Sequence, residues 1–91
     1  MAIRVEFFGL ARQRAGISQL DLELPAGNTP LADVLRAIAR EAPQLAGEWI
    51  VNGKLHSALA ANLGGQQFVS DPATLVRDGQ SLLILSADAG G

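Results

Sequence analysis

The groups in this chain that could do covalent chemistry are few, and the most distinctive pair stands at its end, Gly90-Gly91. Cysteine is absent, which removes disulfides, thiolate metal ligands and a catalytic thiol together. What remains at the end is a carboxylate on Gly91. A carboxylate is a poor acyl donor until ATP converts it to an adenylate, a mixed anhydride that a sulfur nucleophile attacks to leave a thiocarboxylate. A chain using that chemistry holds sulfur without owning a cysteine. Glycines lack Cβ, so the tail could thread a narrow channel in conformations closed to other residues. Taken alone, two terminal glycines also fit a chain end that simply frays.

Other candidates offer less. His56 is the single histidine and has no carboxylate or hydroxyl motif around it, so it reads as a surface or turn residue rather than a catalytic base. Arg12 and Arg14 could grip an acidic partner or an adenylate, or be solvated charges on a connector. Gly64-Gly65 lacks the Lys and Ser or Thr that a phosphate loop requires and reads as a hairpin turn. No set of residues suggests a metal site.

Composition limits the partners. With 91 residues, 48% of them hydrophobic and 18% charged, the chain suits one folded unit with a modest core. A net charge of −2 and a pI near 5.1 supply no basic field for nucleic acid. No apolar run is long enough for a membrane span, and the opening Met1-Ala2-Ile3-Arg4-Val5-Glu6 alternates where a signal peptide would be basic and then continuously apolar. The expected location is the cytoplasm.

The elements that must position the end follow from periodicity. Ile3, Val5 and Phe7 alternate with Arg4, Glu6 and Phe8, predicting a strand over residues 3 to 8. Leu10 to Ala15, closed by Gly16, predicts a short helical connector. Leu20, Leu22 and Leu24 alternate with Asp21 and Glu23 in a second, antiparallel strand. Thr29 as N-cap and Pro30 at the first helical position begin a helix running to Ala42, with Leu31, Val34, Leu35, Ile38 and Ala42 on one stripe and Pro43 as its stop. Leu45 and Trp49 read as anchors of a less legible stretch that contains an Asn52-Gly53 turn. Strands follow over residues 57 to 63 and 66 to 69, then Leu75 and Val76 tuck under the sheet. The unbroken apolar run Ser81 to Leu85 is a central strand, parallel to the first. The result is α+β: a mixed four- to five-stranded sheet with one main helix on one face, the β-grasp arrangement.

Here the chain resembles a known family, the ubiquitin-like sulfur carriers, and within it most closely the small subunit of molybdopterin synthase. The resemblance lies in Val5-Glu6-Phe7-Phe8-Gly9-Leu10-Ala11-Arg12 with Ala15-Gly16, the helix after Thr29, the Asn62 to Gly64 hairpin, Leu75 to Gly79, and Gly90-Gly91. It runs nearly end to end, and departs at Ser86-Ala87-Asp88, where family members often carry a proline and an apolar residue.

The resemblance implies a β-grasp domain over residues 1–85 and a flexible tail over 86–91, not an enzyme on its own. It implies a ubiquitin-activating-like adenylyltransferase that uses ATP on Gly91, with no cofactor bound by the chain itself, and a large synthase subunit into whose site Gly90 and Gly91 reach. Six extended residues would cover about 20 Å at roughly 3.3 Å each. Phe8, Leu82 and Ile84, with Ala89 on the tail, are the candidate partner-binding residues, the first three as an exposed patch, with coverage of that patch by a loop as the equal alternative. Thiamine precursor, cysteine and tRNA thiolation stay open as other destinations for the sulfur, as does a β-grasp binding module with no activated terminus.

Overall fold

The computed structural model describes residues 1–25 and 27–90. Its sheet is built on two adjacent strands from opposite ends of the chain, β1 (Ala2–Phe7) and β9 (Ser81–Ser86). They pair in parallel, Val5 opposite Leu82 and Phe7 opposite Ile84. Parallel neighbours cannot be joined by a tight turn, so the chain between them must cross over. On its way it adds β2 (Gln19–Glu23) antiparallel to β1, and β6 (Leu59–Leu63) antiparallel to β9, with β7 (Gln67–Val69) outside β6. The five-stranded order is β2-β1-β9-β6-β7, which puts β9 at the centre as its continuous apolar run predicts.

The helix α2 (Leu31–Glu41) covers one face of this sheet. Its expected stripe is the buried one: Leu31, Val34, Leu35, Ile38 and Ala42 are all core, meeting Ile3, Val5, Phe7, Leu82 and Ile84 from the strands. Its start differs from the sequence expectation. Pro30 is the N-cap and no side chain caps the helix. Thr29 and Pro30 instead form a two-residue strand, β3, paired with Val76 and Leu75 of β8 (Leu75–Val76). The free N–H groups of Leu31 and Ala32 donate to the carbonyls of Thr74 and Pro72 at 2.8 and 3.1 Å. Backbone from across the molecule thus does what a Thr hydroxyl was expected to do. Within β8 only Val76 is buried; Leu75 faces solvent.

After α2, Pro43 opens a single 3₁₀ turn, Pro43–Leu45, that drives Leu45 into the core. The hairpin β4 (Ile50–Val51) and β5 (Lys54–Leu55) turns on Asn52-Gly53, both at positive φ. Gly53 also packs closely: a Cβ there would lie 2.9 Å from the Ala32 carbonyl oxygen, so this tip is seated on the start of α2. The short helix α1 (Gly9–Ala15) buries Ala11 and Ala15 and ends at Gly16, whose N–H donates to the Arg12 carbonyl at 3.0 Å.

Because Ile38 is fully buried where helix meets sheet, Ile38→Ala should cost about 2–5 kcal/mol and Leu35→Ala a comparable amount. Urea denaturation followed by circular dichroism reads this as a clear drop in midpoint, and an unchanged midpoint for both variants would contradict the packing.

Candidate functional site

Side chains of a strand alternate between faces, and the registers assign each one. Val5, Phe7, Leu82, Ile84, Ala61 and Leu63 share the helix side and are buried. Two of the residues expected to be an exposed docking patch therefore belong to the core: Leu82 and Ile84 are both 0% exposed. The cause is parity. Val5 and Phe7 face the helix, and the parallel register sets Leu82 and Ile84 beside them.

The outward set on the same strand is Leu83 and Leu85, each half-buried. Leu83 lies between Glu6 and Asn62, and Leu85 beside Ala60. Phe8, the third of the expected patch residues, is extended at φ −130° and ψ 154°, continues the outward alternation beyond Phe7, and is 45% exposed. Phe68, opposite Asn62 on β7, is 50% exposed. Phe8, Leu83, Leu85, Ala60 and Phe68 thus mark an apolar outer face with no helix over it. Asn62 sits within it, buried, and its Oδ1 has no hydrogen-bond partner. Phe68 and the Leu83/Leu85 pair could not be assigned to this face by alternation, since both lie in segments where apolar residues are consecutive.

The chain end leaves from one corner of this face. The N–H of Phe8 donates to the Ile84 carbonyl at 2.9 Å, the N–H of Leu10 to Ser86 Oγ at 3.0 Å, and the N–H of Ala87 to the Ala58 carbonyl at 2.8 Å. Strand β9 is therefore held to its last residue from both flanks. Beyond it Ala87–Gly90 forms a 3₁₀ turn. A four-residue 3₁₀ segment covers about 8 Å, against about 13 Å if drawn out, so the full reach expected of an extended tail requires this turn to open. Gly90 and the backbone of Ala89 lie in the turn; Gly91, the expected reacting residue, lies outside the described residues.

The remaining candidates gather elsewhere. The Arg14 guanidinium stands 5.2 Å from the centroid of the Trp49 ring, a cation–π contact, and the His56 ring lies 4.9 Å from the same indole, tilted by 49°. His56 Nδ1 accepts from the Ala58 N–H at 3.0 Å, the geometry of a turn residue. Arg14 is thus committed to packing on Trp49. A groove of about 530 Å³ opens between α2 and the β6–β7 edge, lined by Leu31, Leu35, Lys54, Leu59 and Val69 and reaching Ala60 and Phe68 of the outer face. Among the described residues no cluster of His, Cys, Asp and Glu could hold a metal ion, and no helix is long and apolar enough to cross a membrane.

No protein-family model matches the sequence, and no curated protein does. Solved structures do match. SAMP1 of Haloferax volcanii, a small archaeal modifier protein, superposes with a TM-score of 0.79 at 17% identity, both chains covered in full. A Pyrococcus furiosus protein provisionally described as molybdopterin converting factor, subunit 1, gives 0.73 at 19% identity over 94% of this chain and 97% of that one. A chain from the complex of subunits 1 and 2 of molybdopterin-converting factor from Helicobacter pylori gives 0.64 at 23%, again with full coverage of both. The five-stranded mixed sheet, its covering helix and these superpositions show that the chain has the ubiquitin-like β-grasp fold.

Proposed function

We propose that the chain is a sulfur carrier whose reacting group is the carboxylate of Gly91. The observation that carries this reading is the shared strand: β9 supplies the outward Leu83 and Leu85 of the uncovered apolar face and then runs directly into the tail. A partner seated on that face receives the chain end at a defined place. Docking and delivery are thereby built into one element.

The chemistry follows from the terminus. A carboxylate oxygen of Gly91 attacks the α-phosphorus of ATP on an adenylyltransferase, pyrophosphate leaves, and the acyl adenylate forms. A sulfur nucleophile then adds at the carbonyl carbon and AMP departs, leaving a thiocarboxylate. The chain contributes the acyl group, and the partners contribute nucleotide binding and the acceptor site. The destination that the resemblance favours is molybdopterin: the thiocarboxylate enters a large synthase subunit and gives its sulfur to a pyranopterin. The likeness to a chain of the Helicobacter pylori two-subunit complex supports a partner of this kind. Likeness to a protein named as a modifier supports a second reading, in which an amine of another protein captures the same activated carbonyl.

Incubating the purified chain with a ubiquitin-activating-like adenylyltransferase, ATP and sulfide should raise its mass by about 16 Da, one oxygen exchanged for sulfur. Deleting Gly91, or adding one residue after it, should abolish that gain while leaving stability within about 0.5 kcal/mol of the parent. Modification of either variant at the parent rate would sink the carrier reading and leave a binding module.

The two faces of β9 separate docking from folding. Leu85→Asp should weaken association with the adenylyltransferase about tenfold or more and keep the native circular dichroism spectrum, whereas Ile84→Asp places a charge in the core and should lose that spectrum. Unchanged binding by Leu85→Asp would remove the outer face from the proposal.

A further inference from the structure

We infer that Ser86 is a positioning residue for the chain's end, latching the root of the tail to the start of α1. Helix α1 has no side-chain cap of its own, because its N-cap residue is Phe8. The N–H of Leu10, one of the donors left free at the first turn, is met by Ser86 Oγ at 3.0 Å, in a partly buried bond between residues 76 apart in sequence. A cap that is normally local is supplied here by the last residue of the last strand.

Gly9 is shaped to the same contact. It stands at φ +54°, and a Cβ built on it would lie 2.7 Å from Ser86 Oγ. Glycine therefore serves twice, by accepting the left-handed backbone and by leaving the hydroxyl its space. The next residue is held from the opposite flank, where the Ala87 N–H donates to the Ala58 carbonyl at 2.8 Å. The tail thus starts from a fixed point and in a fixed direction, between α1 on one side and the start of β6 on the other.

The meaning of this latch rests on the carrier reading; its existence rests on the geometry alone. An acyl group delivered into another protein's site reacts at a rate set by how often its carbonyl occupies the reactive position. Few residues separate Ser86 from Gly91, so fixing the root removes much of the volume the end would otherwise sample. The apolar face governs whether the partner binds, and the latch governs where the end points once it has bound.

Ser86→Ala tests this in the intact chain. Hydrogen exchange at the Leu10 amide should accelerate about tenfold, as expected for loss of a capping bond. Backbone order parameters over residues 87–90 should fall below about 0.6. With the adenylyltransferase, ATP and sulfide, kcat for thiocarboxylate formation should drop roughly tenfold while KM for the carrier stays within about twofold, because the outer face is untouched. Ser86→Thr keeps the hydroxyl and should restore all three. Gly9→Ala drives the hydroxyl away from the other side and should reproduce the loss, which guards against an effect peculiar to the Ser86 variant.

Leu10 exchange and tail order unchanged in Ser86→Ala would overturn the latch. If both change while kcat stays at the parent value, Ser86 caps a helix and positions nothing. A parent chain that gains no mass defeats the carrier reading and the positioning role with it, and the amide and relaxation data then still decide whether the latch exists.

Discussion

The parallel pairing of β1 with β9 is the constraint on which the rest of the molecule depends. It joins residues near the two ends of the chain, so everything between them is a crossover, and a crossover in so small a protein must itself form the second layer. Helix α2 fills that role by covering the face to which Val5, Phe7, Leu82 and Ile84 all point. Once that face is closed, the opposite face of the two central strands is the one left without a helix over it. The same pairing brings Phe8 and Gly9, which follow β1, against the residues that follow Ile84. The corner from which the tail departs is therefore made by both ends of the sequence.

The two faces of β9 also show how close an exposed apolar surface lies to the core. Leu82, Leu83, Ile84 and Leu85 are four similar side chains in a row, and only the strand geometry separates structural from exposed members. Burial fixes Leu82 and Ile84 in place. It also makes the outward pair rigid, since Leu83 and Leu85 cannot shift without moving their buried neighbours. A preorganised apolar face loses little side-chain freedom when a partner covers it.

Much of this architecture is legible in the sequence, and the exceptions have a common physical origin. The alternations in β1 and β2 and the stripe from Leu31 to Ala42 are long enough to show their period, and they match the structure. The bridge of Thr29–Pro30 with Leu75–Val76 is two residues on each side and carries no period at all, so Thr29 read naturally as a helix cap. The run Leu82 to Leu85 is long but uniform. It announces a central strand without saying which members face the helix, and extending the exposed character of Phe8 to Leu82 and Ile84 put those two on the wrong side. Only the parallel register, which the folded sheet supplies, carries the inward parity of Val5 and Phe7 across to Leu82 and Ile84. Ser86 gave no signal because a capping serine is sought just before its helix, whereas this one comes 76 residues after the N–H that it accepts.

Trp49 is the only tryptophan in the chain, and its indole is flanked by the Arg14 guanidinium and the His56 ring. His56 accepts from the N–H of Ala58, and the carbonyl of that same residue accepts from Ala87, the first residue past the sheet. A continuous line of contacts therefore links the root of the tail to a single chromophore more than thirty residues away in sequence. The one tryptophan thus stands at the far end of this line of contacts, which makes its intrinsic fluorescence a label-free probe of the segment that holds the root of the tail.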